Sequence, residues 1–168
     1  MATNGTATRV VDRDAFRQAM TRFAAGVTIV TTIDGSRRAW GFTASAFTSL
    51  SLNPPLVLVC LNAGAHCHPS FAVADGFAVN VLRPEHEELA LRFASKGADK
   101  FGSGEFQPSV SGFPVLPDAL AVIECSTEQR IPGGDHTILI GRVRDCHAGD
   151  GAPMIYFNRS FRTLTDSM

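Results

Sequence analysis

Val27-Thr28-Ile29-Val30-Thr31-Thr32 is followed by Asp34-Gly35 and then by Arg38-Ala39-Trp40-Gly41-Phe42-Thr43-Ala44. Every residue of the first run is β-branched, and such side chains fit a pleated strand better than a helix. Asp-Gly between two such runs is a hairpin signal, because both residues tolerate tight-turn geometry. The stretch predicts two antiparallel strands. Outward from it, Leu56 to Leu61 follows Asn53-Pro54-Pro55 and is apolar at every position, as a strand buried on both faces would be. Phe77 to Leu82, Ala119 to Arg130, Thr137 to Arg144 and Met154 to Phe157 read as further strands, with Pro132-Gly133-Gly134 as a turn. Two helices are expected. Asp12 is a plausible N-cap for the first, with Phe16, Ala19, Met20 and Phe23 on one face and Gly26 just past its end. Pro84 opens the second, which runs to about Ser95 with Leu89, Ala90, Phe93 and Ala94 on one side and Gly97 ending it. Strands outnumber helices and most links are short. That predicts a mainly β protein, a closed antiparallel barrel with peripheral helices rather than a doubly wound sheet.

The 168 residues suit one domain, expected over residues 12–168 behind a flexible arm at Met1 to Val11. A net charge of −1 argues against a nucleic-acid partner, which calls for a basic excess. No apolar run is long enough for a membrane span, and the polar N-terminus lacks the apolar core of a signal peptide, so a cytoplasmic protein with no membrane partner is expected. Cys60, Cys67, Cys125 and Cys146 include no C-x-x-C pair and read as buried or surface thiols.

Neither a dinucleotide fingerprint nor a phosphate loop is present; Gly102 and Gly104 approach the former, but Gln107 stands at the third site. The segment Gly41-Phe42-Thr43-Ala44-Ser45-Ala46-Phe47-Thr48-Ser49 combines hydroxyls, small residues and aromatics. By pattern alone it is a strand end and a Ser/Thr-rich loop; as a site, its small residues would let a flat ring approach the backbone. Gly133-Gly134-Asp135-His136 reads first as a hairpin turn, and second as a place where a bulky ligand can lie close to a titratable ring. Arg92, Lys96 and Lys100 recur every four residues, as a solvated face or a phosphate clamp, with Glu88 positioned to pair with Arg92. His66-Cys67-His68 raises a metal reading with His136 or His147, although nothing in the spacing fixes a full ligand set; no metal is expected.

Together these segments resemble the flavin reductase-like family, the short-chain NAD(P)H:flavin oxidoreductases that serve two-component flavin monooxygenases. The marks run from Phe16-Arg17 and Phe23 to Thr32 through Gly41 to Ser49 with Pro54-Pro55. They continue with Ser70-Phe71, Phe77 to Leu82, Lys100-Phe101, Gly134-Asp135-His136, Tyr156-Phe157 and Phe161-Arg162. One departure is Arg159, where family members often carry glycine.

The resemblance implies an FMN-binding split β-barrel of Greek-key antiparallel type, built as a homodimer. It implies hydride transfer from NAD(P)H to FAD or FMN, with NADH expected ahead of NADPH and FAD slightly ahead of FMN, and diffusion of reduced flavin to a separate monooxygenase. Thr43, Ala44, Ser45, Ala46, Phe47 and Ser49 would cradle the isoalloxazine, with Cys60, Leu61 and Asn62 at its edge. Ser70, Phe71, Lys96, Lys100 and Phe101 would lie toward the ribityl and phosphate groups. Gly134, Asp135, His136 and Phe157 would meet NAD(P)H, with His136 positioning the nicotinamide. A second departure is the loop at His66-Cys67-His68, which has no place in the family pattern; if flexible, it would cover the flavin tail and bear on the choice of flavin. Arg130, Arg142 and Arg144 would meet a 2′-phosphate or face water. Two other readings are a non-catalytic flavin-binding electron carrier on the same barrel and a metal hydrolase using His66, His68 and His136.

Overall fold

The structure is a computed structural model that describes residues 10–97 and 99–164. The expected arm lies outside the described residues except for Val10 and Val11. The elements run α1 (Arg13–Met20), β1 (Ala25–Gly26), β2 (Thr28–Ile33), β3 (Ala39–Ala44), β4 (Phe47–Leu52), β5 (Pro55–Asn62), α2 (His68–Val73) and β6 (Gly76–Val81). A single 3-10 turn at Pro84–His86 leads into α3 (Glu87–Ala94), then β7 (Gln107–Pro108), β8 (Pro114–Val115), β9 (Ala121–Gly133), β10 (His136–Ala148), β11 (Met154–Phe157) and β12 (Ser160–Thr163).

Seven strands form one antiparallel sheet in the order β3-β2-β6-β9-β10-β5-β4. Val30, Phe42, Val59, Phe77, Val79, Cys125 and Leu139, from six of those strands, meet in one buried cluster, so the sheet curls around a single core. Its edge strands β3 and β4 are joined directly through Ser45-Ala46 yet do not pair with each other. The barrel is thus split at that seam rather than closed, as the family resemblance implies. A second cluster, including Ile29, Leu89, Phe93 and Met154, seats α3 on the outside of the sheet.

Several expectations are corrected. Helix α1 begins as read, with the Asp12 carboxylate accepting from the Ala15 amide at 3.0 Å. It ends at Met20, because the Thr21, Arg22 and Phe23 amides already close a turn onto Arg17, Ala19 and Met20 carbonyls. Gly26 is not a helix cap; it lies in β1, opposite Ile155. The Leu56 to Leu61 run is not buried on both faces. Val57, Val59 and Leu61 are buried while Leu56, Leu58 and Cys60 are only partly covered, because β5 turns one face to the core. Phe47–Leu52 is a strand, not a loop: its hydroxyl-rich face tolerates water, and pairing with β5 supplies its backbone partners. Ala94 is exposed, since α3 stops there. No helix among the described residues is long and apolar enough to cross a membrane.

Candidate functional site

At the split, β3 runs beside a cleft of about 950 Å³. One wall is Arg38 to Ala46; the others are Cys60 to Asn62, Gly64 to Cys67, the chain at and beyond the end of α3 from Phe93 to Gly97 and from Asp99 to Phe101, and His136. The fold explains why these distant segments meet. Asn62 at the end of β5 is opposite His136 at the start of β10, and the Ala63 amide donates to the Asp135 carbonyl at 2.9 Å. Cys60 continues the β4–β5 pairing by donating its amide to the Ala46 carbonyl at 3.0 Å. The Thr43 hydroxyl donates to the Ala90 carbonyl at 2.6 Å and pins α3 to β3.

Thr43, Ala44, Ser45, Ala46, Cys60, Leu61, Asn62, Lys96, Lys100, Phe101 and His136 all line this cleft. Phe47 instead packs against the core. Ser49 is an exposed residue of β4, farther along from the seam. Phe71 is buried edge-on to Phe42, with ring centroids 5.1 Å apart, and Ser70 precedes it in α2. Gly134 and Asp135 form the hairpin tip beside His136, with Gly134 at φ +65°, where a side chain would be strained. Phe157 belongs to the separate β1-β11-β12 sheet and does not line the cleft within one chain.

The basic stripe expected over Arg92, Lys96 and Lys100 is broken, because α3 ends before Lys96. Arg92 pairs with Glu105 at 2.9 Å rather than with Glu88. Lys100 turns inward: its Nζ donates to the carbonyls of Phe93 at 2.7 Å and Gly41 at 3.2 Å. Burial pulls the Lys100 pKa down, an effect that only an ionised Cys67 thiolate would oppose; burial likewise pushes Cys67 up, opposed by the Lys100 charge. Lys96 is exposed at the cleft wall. Arg38, Lys96 and Lys100 face a single lining acid, Asp99, so the cleft favours an anionic ligand.

His136 Nδ1 lies 2.7 Å from Asp135 Oδ1, and that hydrogen bond, followed by the imidazole's charge, lowers the Asp135 pKa. The ionised carboxylate can only accept, so Nδ1 donates and Nε2 is the nitrogen left for a ligand. The hydrolase set does not assemble. His66 lies edge-on to Trp40 at 5.3 Å, His68 Nε2 bonds the Thr137 hydroxyl at 2.9 Å, and among the described residues no three His, Cys, Asp or Glu side chains converge on a metal position. The three arginines are otherwise engaged. Arg130 donates to the Phe71 and Ala74 carbonyls, Arg142 grips Glu128 bidentately, and Arg144 donates to Ser126. None of them lines the cleft.

Sequence reasoning missed Arg38 and Trp40 as site residues and treated His66 as a metal candidate. The one tryptophan of the chain, two residues after Arg38 and next to Gly41 at a strand start, was the available signal. A second hollow of about 410 Å³, lined by Glu85, His86, Leu89, Arg92, Glu105 and Asp118 among others, holds Arg92 of the phosphate-clamp candidates but none of the residues expected at the flavin or nicotinamide.

A family model described as a flavin reductase like domain matches residues 20–165. The actinorhodin polyketide dimerase of Streptomyces coelicolor is 47% identical over 154 residues, covering 91% of this chain and 87% of that protein. The reductase component of 4-hydroxyphenylacetate 3-monooxygenase from Thermus thermophilus is 39% identical, covering 90% of this chain and 97% of its own length. Among solved structures, an NADH:FAD oxidoreductase of Streptomyces globisporus C-1027, in complex with NAD and FAD fragments, superposes with a TM-score of 0.86. It is 34% identical, and the match covers 95% of this chain and 98% of that one.

Proposed function

This chain belongs to the flavin reductase-like family, and we propose that it reduces FAD or FMN with NADH, ahead of NADPH, and releases the reduced flavin to a separate monooxygenase. The observation that carries this reading is the convergence of the Thr43–Ala46 strand end, the Cys60–Asn62 edge and His136 on one cleft. The residues suit a flavin. Ala44, Ser45 and Ala46 present backbone beside little side chain, and the cationic lining suits a phosphorylated tail.

When bound, the nicotinamide and isoalloxazine rings supply the redox chemistry between them. The protein's part is positioning. Thr43 has its hydroxyl proton committed to Ala90, so it offers a ligand only a lone pair. Asp135 holds the His136 ring with Nε2 toward the ligand, which suits orientation of a carboxamide better than proton transfer. Phe157 enters the nicotinamide side only with a second subunit. A homodimer is supported by Phe16, Met20 and Phe23, which are 61%, 51% and 71% exposed on and beside α1, and by Leu52 at 92% on β4.

The deciding experiment follows NADH and NADPH oxidation by purified protein with FAD or FMN in excess, and with neither. Turnover that requires added flavin supports the reductase. Tight flavin binding without turnover supports the electron carrier instead. A second reading rests on the polyketide dimerase relative; it would require the protein to change a polyketide in the absence of any oxygenase. His136→Ala is expected to raise the NADH KM while leaving flavin affinity in place, and equal loss of both would remove His136 from the nicotinamide side.

A further inference from the structure

The cleft is longer than an isoalloxazine site requires. Its volume of about 950 Å³ sits at the upper end of the roughly 300–1,000 Å³ usual for small-molecule pockets. From Ala44, β3 leads back past Gly41, where Lys100 is anchored, to Trp40. At about 3.3 Å per residue, Trp40 lies roughly 13 Å from Ala44 along the strand. Trp40 is a fixed plate. Its Nε1 donates to Asp34 Oδ2 at 2.8 Å, the Arg38 guanidinium stacks at 4.5 Å from its ring, and His66 meets it edge-on at 5.3 Å. Asp34 is itself fixed by the Ser36 amide and hydroxyl and the Arg38 amide. Arg38, Trp40 and His66 all line the cleft.

The geometry points to a base-binding subsite: Trp40, flanked by His66 and Arg38, receives the adenine ring of a dinucleotide whose redox ring lies at Thr43–Ala46. This inference rests on the flavin reading of the cleft. A pre-oriented indole costs little ordering on binding, and aromatic surfaces hold bases by stacking. The adenine can belong to FAD or to NADH, and both are tested.

Dissociation constants for FAD and FMN are measured by calorimetry on wild type, Trp40→Phe, Trp40→Ala and His66→Ala, alongside the NADH KM with FMN as acceptor. Trp40→Ala is expected to weaken FAD about tenfold, with FMN within twofold and Trp40→Phe close to wild type. A tenfold rise in the NADH KM with both flavin constants unchanged assigns the subsite to the adenine of NADH. Because Trp40 also packs on the core, the exposed His66 gives an independent variant, expected to shift the same constant in the same direction. In wild type and His66→Ala, Trp40 fluorescence reports occupancy directly, as the chain has no other tryptophan. Parallel loss of FAD and FMN, or no change in any constant, overturns the subsite. Failure of the wild type to bind either flavin overturns the reading of the cleft beneath it.

Discussion

Lys100 Nζ stands 3.2 Å from the Gly41 carbonyl and 2.7 Å from that of Phe93, so one ammonium ties β3 to the C-terminal end of α3. A cation is favourable at a helix C-terminus, and hydrogen bonds from charged donors contribute about 1.5–3 kcal/mol. Two of its three N–H groups are taken by backbone, which makes Lys100 part of the cleft floor before it is a ligand for anything. Lys100→Met is therefore expected to weaken FAD, FMN and riboflavin alike, by roughly tenfold or more. Riboflavin decides the point, because it has no phosphate: unchanged riboflavin affinity would mean that Lys100 acts only as a phosphate clamp.

Gly41 itself is required by the same junction. A Cβ there would lie 2.7 Å from Phe93 Cε1 and 3.0 Å from the Val30 carbonyl oxygen. Phe93 is held in turn by Phe101 and Phe106, so it has little room to retreat. Gly41→Ala is expected to cost about 1–3 kcal/mol by overpacking. In a chain of this size that lowers Tm by roughly 2–12 °C. An unchanged Tm by circular dichroism would show that α3 can shift outward freely.

How much of this was legible in the residues depends on what each segment had to bury. The β2–β3 hairpin and the β9–β10 pair were readable because β-branched runs and turn residues are local signals. Strand β4 was not, since Thr48, Ser49 and Ser51 are polar and the strand exists only through pairing with β5. The Thr43–Ala46 and His136 parts of the site came from family resemblance, not spacing. Lys100 was expected toward a phosphate, but no pattern reveals that its ammonium folds back onto Gly41 and Phe93. Trp40 was hidden for a similar reason: its partner His66 is distant in sequence, and their contact follows from the cleft rather than from either segment.

The thiols differ in reactivity for physical reasons. Cys146 is exposed, whereas burial pushes the Cys125 thiol up to about 12 and raises Cys67 as well. Only a thiolate attacks an alkylating agent. Iodoacetamide at pH 8 is expected to modify Cys146 fastest and to reach Cys67 and Cys125 only on unfolding. Cys60 is partly exposed and lines the cleft, so added flavin should slow its modification. Peptide mass mapping checks both orders, and a Cys60 rate indifferent to FAD and FMN would count against the cleft as their site.

Asp34 gives the pH dependence. Its carboxylate accepts from the Ser36 hydroxyl first, then from Trp40 Nε1 and the Arg38 amide, which together hold its pKa well below the ordinary 3.8. A depressed carboxylate contributes stability that is complete above 3.8 and is lost as pH falls through the folded value, because the unfolded chain takes up the proton first. The urea midpoint should therefore fall between pH 5 and pH 3 more steeply in wild type than in Asp34→Asn. Equal slopes would show that these donors do not favour the ionised form.

The β11–β12 hairpin carries a correctable strain. Phe157 pairs with Ser160, leaving Asn158 and Arg159 as a two-residue turn with φ of 49° and 62°. Both signs suit the turn type that matches strand twist, and asparagine followed by glycine is its favoured pair. Arginine instead pays roughly 1–2 kcal/mol for its Cβ in the left-handed region. Glycine removes that cost but loosens the unfolded chain by about 0.4–1 kcal/mol, so the net gain is near 0.5–1 kcal/mol. Arg159→Gly should raise Tm by roughly 1–4 °C. Arg159→Ala keeps the Cβ and should give no such gain, which separates relief of strain from mere loss of a charged side chain. Equal Tm values for the two variants would mean that the turn escapes the left-handed region once arginine is removed.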